Sequence, residues 1–303
     1  MKVSLVDVDG HNFPNFALMK ISAWHKTNGD DVDWYMPLFS HPDRIYASKV
    51  FTFTPDYMDY NPNDPEPTKG GTGYDATVKL PDEIEKMLPD YSIYPQYDFG
   101  IGFLTRGCIR KCPWCVVPRK EGGIKAVDDI QRIAIRKNMV LMDNNFLAAP
   151  QGFVEEQLDK MRRLKCRIDF NQALDARLVD DRNAKYLAKV KWIKYIRFSC
   201  DTDAMLTPVK DAMTALRLAG YKGEFFIYVL AKDMDALHRV ERLAMLDDKV
   251  NPFVMPFRSL NSKEPDAADD VRKLARWCNR ACIRKSCTFK EYKYKGRVRC
   301  PKR

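Results

Sequence analysis

The stretch IGFLTRGCIRKCPWC, residues 101–115, joins a short apolar run to a loop that carries three cysteines. The apolar run Ile101–Thr105 is typical of a buried strand. The loop after it contains glycine and proline and holds Cys108, Cys112 and Cys115 within eight residues. Iron–sulfur clusters are held by thiolates at such close spacing. The sequence therefore predicts a strand that leads directly into a loop able to wrap one compact inorganic centre.

This pairing of an extended apolar run with a following helix-like stretch occurs six times from Gly100 onward. Strands that alternate with helices form parallel sheets. Six such units form a partial barrel or an open sheet, and in both a ligand binds at the C-terminal ends of the strands. The predicted strands are Ile101–Thr105, Met139–Asp143, Arg167–Asn171, Tyr195–Cys200, Glu224–Leu230 and Phe253–Phe257. The predicted helices lie near residues 126–137, 151–165, 181–190, 207–219, 234–246 and 266–281.

Length and composition are those of a folded enzyme rather than a membrane or disordered protein. The 303 residues allow about two domains of ordinary size, and the chain is 45% apolar and 30% charged. No apolar run approaches the ~18 residues of a membrane helix, and the first residues do not resemble a secretory signal. We therefore expect a cytoplasmic protein without membrane contact. Its nine cysteines should be ligands or plain thiols rather than a disulfide framework.

Three cysteines suit a metal site with one open position. They can ligate three irons of a four-iron cubane and leave the fourth iron free for a small molecule, as catalytic zinc sites keep one position open. The alternative is a structural zinc loop, although zinc sites usually pair C-x2-C with a second pair at a distance.

The spacing C-x3-C-x2-C, with Trp114 before the last cysteine, resembles the signature of the radical S-adenosylmethionine (SAM) superfamily, and the resemblance covers about residues 99–260. It implies a partial (β/α)6 TIM-like barrel and a [4Fe-4S] cluster on Cys108, Cys112 and Cys115, whose open iron is chelated by SAM. It also implies an electron donor such as flavodoxin or ferredoxin. Reductive cleavage of SAM then gives a 5′-deoxyadenosyl radical that abstracts hydrogen from a substrate. Trp114 would pack beside the cluster with its backbone near the adenine. The sequence indicates neither a catalytic side chain nor the reaction that follows.

The same resemblance assigns a polar group at the end of the second strand to the SAM amino group. In the branch with cobalamin-binding members this place often reads Asp-Asp-x-Phe, so Asp143 fits the pattern and Asn144 departs from it. A carboxylate suits an ammonium group. The alternative role for Asp143 is a helix N-cap.

Two further residues follow the third and fourth strands. Arg177 resembles an arginine of that branch and would pair with the SAM carboxylate; the alternative is a structural ion pair with Asp175 or Asp180. Asp201 would bond the ribose hydroxyls, and its alternative is again helix capping. Cys166 and Cys200 are expected to be small core residues.

The first domain resembles the cobalamin-binding domain of that branch, as a small Rossmann-like unit. Gly70-Gly71 is similar to its glycine loop, and Asp9-Gly10-His11 to the start of its Asp-x-His-x-x-Gly motif. However, Pro14 stands where the motif has glycine, so we do not expect cobalamin; a cobalamin-dependent radical SAM methyltransferase is kept as an alternative. The predicted domains are 1–75 (degenerate Rossmann-like), 76–98 (linker), 99–260 (radical SAM core) and 261–303 (basic extension).

The extension carries the positive charge of the chain and four cysteines. Residues 271–303 hold thirteen Lys/Arg and one acid, whereas the rest of the chain has a net charge of −2. A helix over 266–281 would place Cys278 and Cys282 on one face. With Cys287 and Cys300 they form a second candidate metal site, for an auxiliary iron–sulfur cluster or zinc; the alternative is unligated thiols.

The basic extension also suits a nucleic-acid substrate, because bases neutralise phosphates and aromatic rings stack on single-stranded bases. A competing hypothesis is a nucleic-acid-binding protein whose metal sites are only structural. A solvated basic terminus is the remaining alternative. The residues expected at phosphates or bases are Arg284, Lys285, Phe289, Tyr292, Lys293, Tyr294, Arg297 and Arg299.

Overall fold

In the computed structural model, which describes residues 1–259 and 267–293, the chain forms parallel sheets with helices along the connections between strands. The α/β class expected from the sequence is therefore confirmed. The chain divides into two compact units, one built mainly from Met1–Gln172 and one from Ala173–Arg258 with the C-terminal helices. Among the described helices, none combines the length and apolar character needed to cross a membrane.

The first unit contains two parallel sheets and one short antiparallel pair. Its strands are β1 (Lys2–Asp7), β2 (Asp31–Trp34), β3 (Arg44–Ser48), β4 (Thr68–Gly70), β5 (Gly100–Gly102), β6 (Thr105–Arg106), β7 (Lys125–Ala126), β8 (Asn138–Leu141) and β9 (Arg167–Phe170). Its helices are α1 (Phe16–Thr27), α2 (Asp82–Glu85), α3 (Val117–Lys120), α4 (Ile130–Ile133) and α5 (Gln151–Leu164).

The first sheet has the order β2-β1-β3-β4, with every neighbouring pair parallel. Its core is apolar, and Leu5 and Ile45 of the central strands are at most 1% exposed. Helix α1 connects β1 to β2, and the side chain of Asn15 caps its first turn by accepting from the Leu18 amide at 3.3 Å. The sheet is thus parallel, with a helix in the connection from β1 to β2, and the Rossmann-like unit expected for residues 1–75 stays a prediction.

The second sheet carries the segment that leads into the cysteine loop. Strand β8 lies between β5 and β9, and both pairs are parallel. Two glycines of β5 permit its close packing: a Cβ on Gly100 would lie 2.4 Å from the Met139 sulfur, and one on Gly102 would lie 2.8 Å from Cδ1 of Ile133. A larger residue at either position would require the side chain of Met139 or Ile133 to shift.

The helix expected over residues 126–137 is wrong in extent. Only one turn, α4, is helical, and Ala126 belongs to β7. The Asp129 side chain caps that turn by accepting from the Gln131 amide at 2.8 Å. Ile130 and Ile133 are buried and hold this turn against the protein. Their spacing of three residues suits one helical turn, and Arg136 and Lys137, one turn further along the same face, are not apolar.

The second unit is built around a three-stranded parallel sheet in which β12 lies between β11 and β13. Side chains on one face of these strands, such as Phe198, Ile227 and Val254, are fully buried, and those on the other face are half-buried. The strands are β10 (Lys191–Trp192), β11 (Tyr195–Ser199), β12 (Glu224–Ala231) and β13 (Val250–Pro256). The helices are α6 (Asp181–Leu187), α7 (Leu206–Leu218), α8 (Asp235–Ala244), α9 (Asp269–Cys278) and α10 (Ala281–Ser286).

The helix expected over 266–281 is two helices, so Cys278 and Cys282 do not share a helix face. Helix α9 ends at Cys278, and α10 begins at Ala281. The break is held by Asn279, whose side chain accepts from the Val254 amide at 2.7 Å and donates to the Val254 carbonyl at 2.9 Å. This anchoring of Asn279 to β13 ends the helical path.

Candidate metal centre

The cysteine loop is closed at its base by the antiparallel pair β6–β7. Just beyond β6, Gly107 adopts a positive φ of 83°, and a Cβ at this position would lie 2.1 Å from the carbonyl oxygen of Gly123. The next amide, that of Cys108, donates to the carbonyl of Gly122 at 3.1 Å. The two sides of the loop thus approach so closely that only glycine fits at position 107.

The sequence Cys-Pro-Trp-Cys forms a tight turn within this loop. The amide of Cys115 donates to the carbonyl of Cys112 at 3.0 Å, which is the bond of a four-residue turn with proline in its second position. Cys108, Cys112 and Trp114 are half-buried, and Cys115 is exposed. A turn of this kind brings the backbones of its first and last residues, Cys112 and Cys115, close together.

The sulfur of Cys108 is held by two N–H donors. The backbone amide of Arg110 lies 3.3 Å from Sγ, and the side-chain amide of Asn145 lies 3.4 Å from it. Asn145 follows β8 and is only 3% exposed. Because sulfur is a weak acceptor in the thiol form, paired donors suit the thiolate that a metal requires.

Asp143 connects the end of β8 to the start of the cysteine loop. Its carboxylate accepts from the Thr105 amide at 2.6 Å, from the Thr105 hydroxyl at 2.7 Å and from the Leu104 amide at 3.2 Å. The side chain is fully buried, and this burial raises its pKa to about 6, against the lowering effect of those hydrogen bonds. Asp143 is thus not a helix N-cap. Its carboxylate holds the backbone at Thr105, three residues before Cys108.

Glu121 holds the two ends of the loop together. Its carboxylate pairs with Arg106 at 2.9 Å, accepts from the Gly107 amide at 3.0 Å and accepts from the Asn144 side chain at 2.6 Å. Arg106 also pairs with Glu85 at 3.3 Å. This chain of contacts joins α2, the base of the loop and the residue after Asp143.

The loop is strongly basic apart from Glu121. Residues 106–125 hold six Lys/Arg and this one acid, a net charge of +5. Positive charge near the loop would offset the negative charge of a metal–thiolate centre. Within the described residues, however, the structure contains no group of three or more His, Cys, Asp or Glu side chains gathered for a metal ion. The donor chemistry of the loop fits a cluster, while its thiols are not assembled into a complete site.

The other residues expected at SAM lie in the second unit. Arg177 pairs with Asp175, Nε to Oδ1 at 2.7 Å and Nη2 to Oδ2 at 3.1 Å, so the structural ion pair foreseen as its alternative role is present. Asp201 accepts from the Leu230 amide at 3.2 Å rather than from a helix amide, and burial raises its pKa. The roles of Arg177 and Asp201 toward SAM stay predictions.

The features of the first domain that are similar to a cobalamin site have internal explanations. A Cβ on Gly71 would lie 2.3 Å from the Lys49 carbonyl oxygen, so this glycine makes room for the protein's own backbone. The Asp9 carboxylate accepts from the amides of residues 50 and 51. The ring of His11 packs edge to face on Trp34, with centroids 4.3 Å apart. We do not propose a cobalamin site.

The tail cysteines lie in different surroundings. Cys278 is fully buried and donates to the Pro252 carbonyl at 3.3 Å, and its burial raises the pKa of the thiol to about 11. Cys282 is exposed, Cys287 is half-buried, and Cys300 lies outside the described residues. Cys166 and Cys200 are buried, which confirms them as core residues. Among the described residues these positions do not form a ready metal site.

Two residues of the C-terminal extension that were expected to contact nucleic acid, Arg284 and Phe289, contact other parts of the protein instead. Arg284 donates to the carbonyls of Cys278 at 2.9 Å and Pro252 at 3.3 Å. Phe289 packs edge to face on Trp277, with centroids 5.6 Å apart. Lys285 and Lys293 are exposed and Tyr292 is half-buried. Tyr294, Arg297 and Arg299 lie outside the described residues.

Sequence reasoning missed three side chains that shape the site: Thr105, Glu121 and Asn145. Each acts through a contact with a partner many residues away or across the loop, which local spacing does not reveal. A usable signal was present for Glu121, because it is the only acid among the six bases of residues 106–125. A lone acid in a basic loop is often held by the bases around it.

The chain was also compared with known proteins. No model of a protein family matches it, and no curated protein is significantly similar to it.

Proposed function

We propose that this protein is a radical SAM enzyme in which Cys108, Cys112 and Cys115 hold a [4Fe-4S] cluster. One observation carries the proposal: a basic, glycine-closed loop presents the C-x3-C-x2-C cysteines shortly after the parallel strand β5, beyond the two-residue strand β6. Two of them are at the ends of a tight turn, and the third receives two N–H donors at its sulfur. The resemblance of this motif to the superfamily signature gives the loop its expected chemistry.

When bound, the cluster and SAM would supply a 5′-deoxyadenosyl radical on one-electron reduction, and the protein positions and shields them. Asp143 anchors the start of the loop, and Glu121 holds its two ends together. The buried Asn145 keeps Cys108 in place. We assign Asp143 to this anchoring rather than to the SAM ammonium, because its carboxylate is fully buried and already accepts from Leu104 and Thr105.

We also propose that the six predicted strands form a partial (β/α)6 barrel. The support is that all six are present in chain order, as two parallel groups of three, with a helix or helical turn after each. In such a fold the loop after the first strand lies at the end where ligands bind.

The test is anaerobic purification followed by metal analysis and visible spectroscopy. The wild-type chain should be brown and carry iron with acid-labile sulfide, whereas the triple variant C108A/C112A/C115A should lack one cluster's iron. Cys166→Ala serves as the control, because this thiol is buried outside the loop and should leave the iron content unchanged. A colourless wild-type protein that is folded and loaded with zinc would overturn the proposal and favour a structural metal site.

A further inference from the structure

We propose that Asn145 is a positioning residue that raises the reduction potential of the cluster by donating a hydrogen bond to the sulfur of Cys108. This inference rests on the proposed function, since it assigns a role toward the cluster. The observation behind it is local: the Asn145 side-chain nitrogen lies 3.4 Å from Cys108 Sγ, on a side chain that is 3% exposed.

The placement of Asn145 is fixed by the fold rather than by the loop. It follows β8 by four residues, and its neighbour Asp143 is tied to Leu104 and Thr105 by hydrogen bonds. The amide therefore reaches the sulfur from a buried strand end, independently of the loop on which Cys108 lies. The second donor, the Arg110 amide, belongs to the loop itself.

An N–H donor at a cluster sulfur favours the reduced state, because reduction adds one negative charge that partly resides on the sulfurs. The proposed reaction needs one electron from a low-potential donor. Loss of the Asn145 donor should therefore make the cluster harder to reduce. At a fixed potential we expect about a tenfold smaller ratio of reduced to oxidised cluster, which equals about 59 mV for a one-electron couple.

The experiment is a redox titration, followed by electron paramagnetic resonance, of reconstituted full-length proteins: wild type, Asn145→Leu, Asn145→Ala and Asn144→Leu. Asn144→Leu tests the alternative that any loosening of the loop shifts the potential, because Asn144 donates to Glu121, which holds the loop, at 2.6 Å. Iron content and urea unfolding are measured on each protein. Both Asn145 variants should hold four irons and show a lower potential than wild type, and this decrease should be larger than any change in Asn144→Leu.

Each other outcome is informative. If all proteins hold the cluster and the Asn145 variants have the wild-type potential, the inference is overturned while the proposed function stands. An equal shift in Asn144→Leu would also overturn it, because the effect would then be a general disturbance of the loop. Loss of the cluster in both Asn145 variants would overturn the inference, because Asn145 would then be needed to assemble the cluster rather than to set its reduction potential. A wild type without iron would overturn both the inference and the proposed function.

Discussion

Replacing Gly107 by alanine should open the cysteine loop, and the structure provides two matched controls within the same loop. Gly107 and Gly122 both have positive φ, 83° and 73°, while Gly123 does not. A Cβ at Gly122 or Gly123 meets nothing within 4 Å, whereas one at Gly107 would lie 2.1 Å from the Gly123 oxygen and 2.7 Å from the Gly123 carbonyl carbon. Only Gly107→Ala therefore combines backbone strain with a clash.

The magnitudes follow from these differences. Gly123→Ala should be close to neutral, and Gly122→Ala should cost about 1 kcal/mol for a left-handed alanine. Gly107→Ala bears the same strain, and its Cβ must also push the backbone at residue 107 away from the backbone at residues 122–123. Separation weakens the bond from Cys108 to Gly122 and the charged bond from Gly107 to Glu121, which adds roughly 2–4 kcal/mol. The free energy of unfolding should thus fall by about 3–5 kcal/mol in Gly107→Ala.

The assay is urea unfolding of the three variants and the wild type without metal, at one pH, followed by iron loading under anaerobic conditions. We expect Gly107→Ala to lose most of its iron binding, and the two controls to keep it. Equal stabilities for Gly107→Ala and Gly122→Ala would refute the close backbone approach on which this description of the loop depends.

Two other predictions concern titration and reactivity. The folded pKa of Asp143, about 6, lies above its ordinary value of 3.8, so its contribution to stability is full below about pH 4 and is lost as the pH rises to about 6. Wild type should therefore lose roughly 3 kcal/mol relative to Asp143→Asn over this range; parallel stability curves would contradict the buried carboxylate. Iodoacetamide should alkylate the exposed Cys282 rapidly in the native protein, but Cys278 and Cys200 only on unfolding, because burial raises their thiol pKa values to about 11 and about 12. Mass spectrometry of labelled peptides checks this, and rapid labelling of Cys278 would show that the end of α9 does not bury this thiol against β13.

The strands were predictable because each is a short apolar run. Along β12 and β13, buried residues alternate with half-buried ones, which is the two-residue period of a strand. The helix over 126–137 was not, because its apolar spacing at Ile130 and Ile133 supports one turn only. Cys278 and Cys282 were separated by a long-range contact of Asn279 with Val254, which helical spacing cannot foresee.

The features of the candidate site also fall into those specified by the local sequence and those that depend on contacts distant in sequence. The turn from Cys112 to Cys115 is local, since a Cys-Pro-Trp-Cys sequence favours its own turn. The contact of Asn145 with Cys108 depends on the end of β8 reaching a loop 37 residues earlier. Such a contact depends on the assembled sheet, so the spacing of the cysteines could indicate candidate ligands but not Asn145, which contacts one of them.

The central claim is tested most directly by reductive cleavage of SAM. Anaerobically reconstituted protein is incubated with SAM and dithionite, and 5′-deoxyadenosine is measured by chromatography and mass spectrometry. The wild type and the Cys166→Ala control should both form 5′-deoxyadenosine, and C108A/C112A/C115A should form none. Equal 5′-deoxyadenosine from the triple variant, or none from a wild type that carries a full cluster, would contradict the assignment.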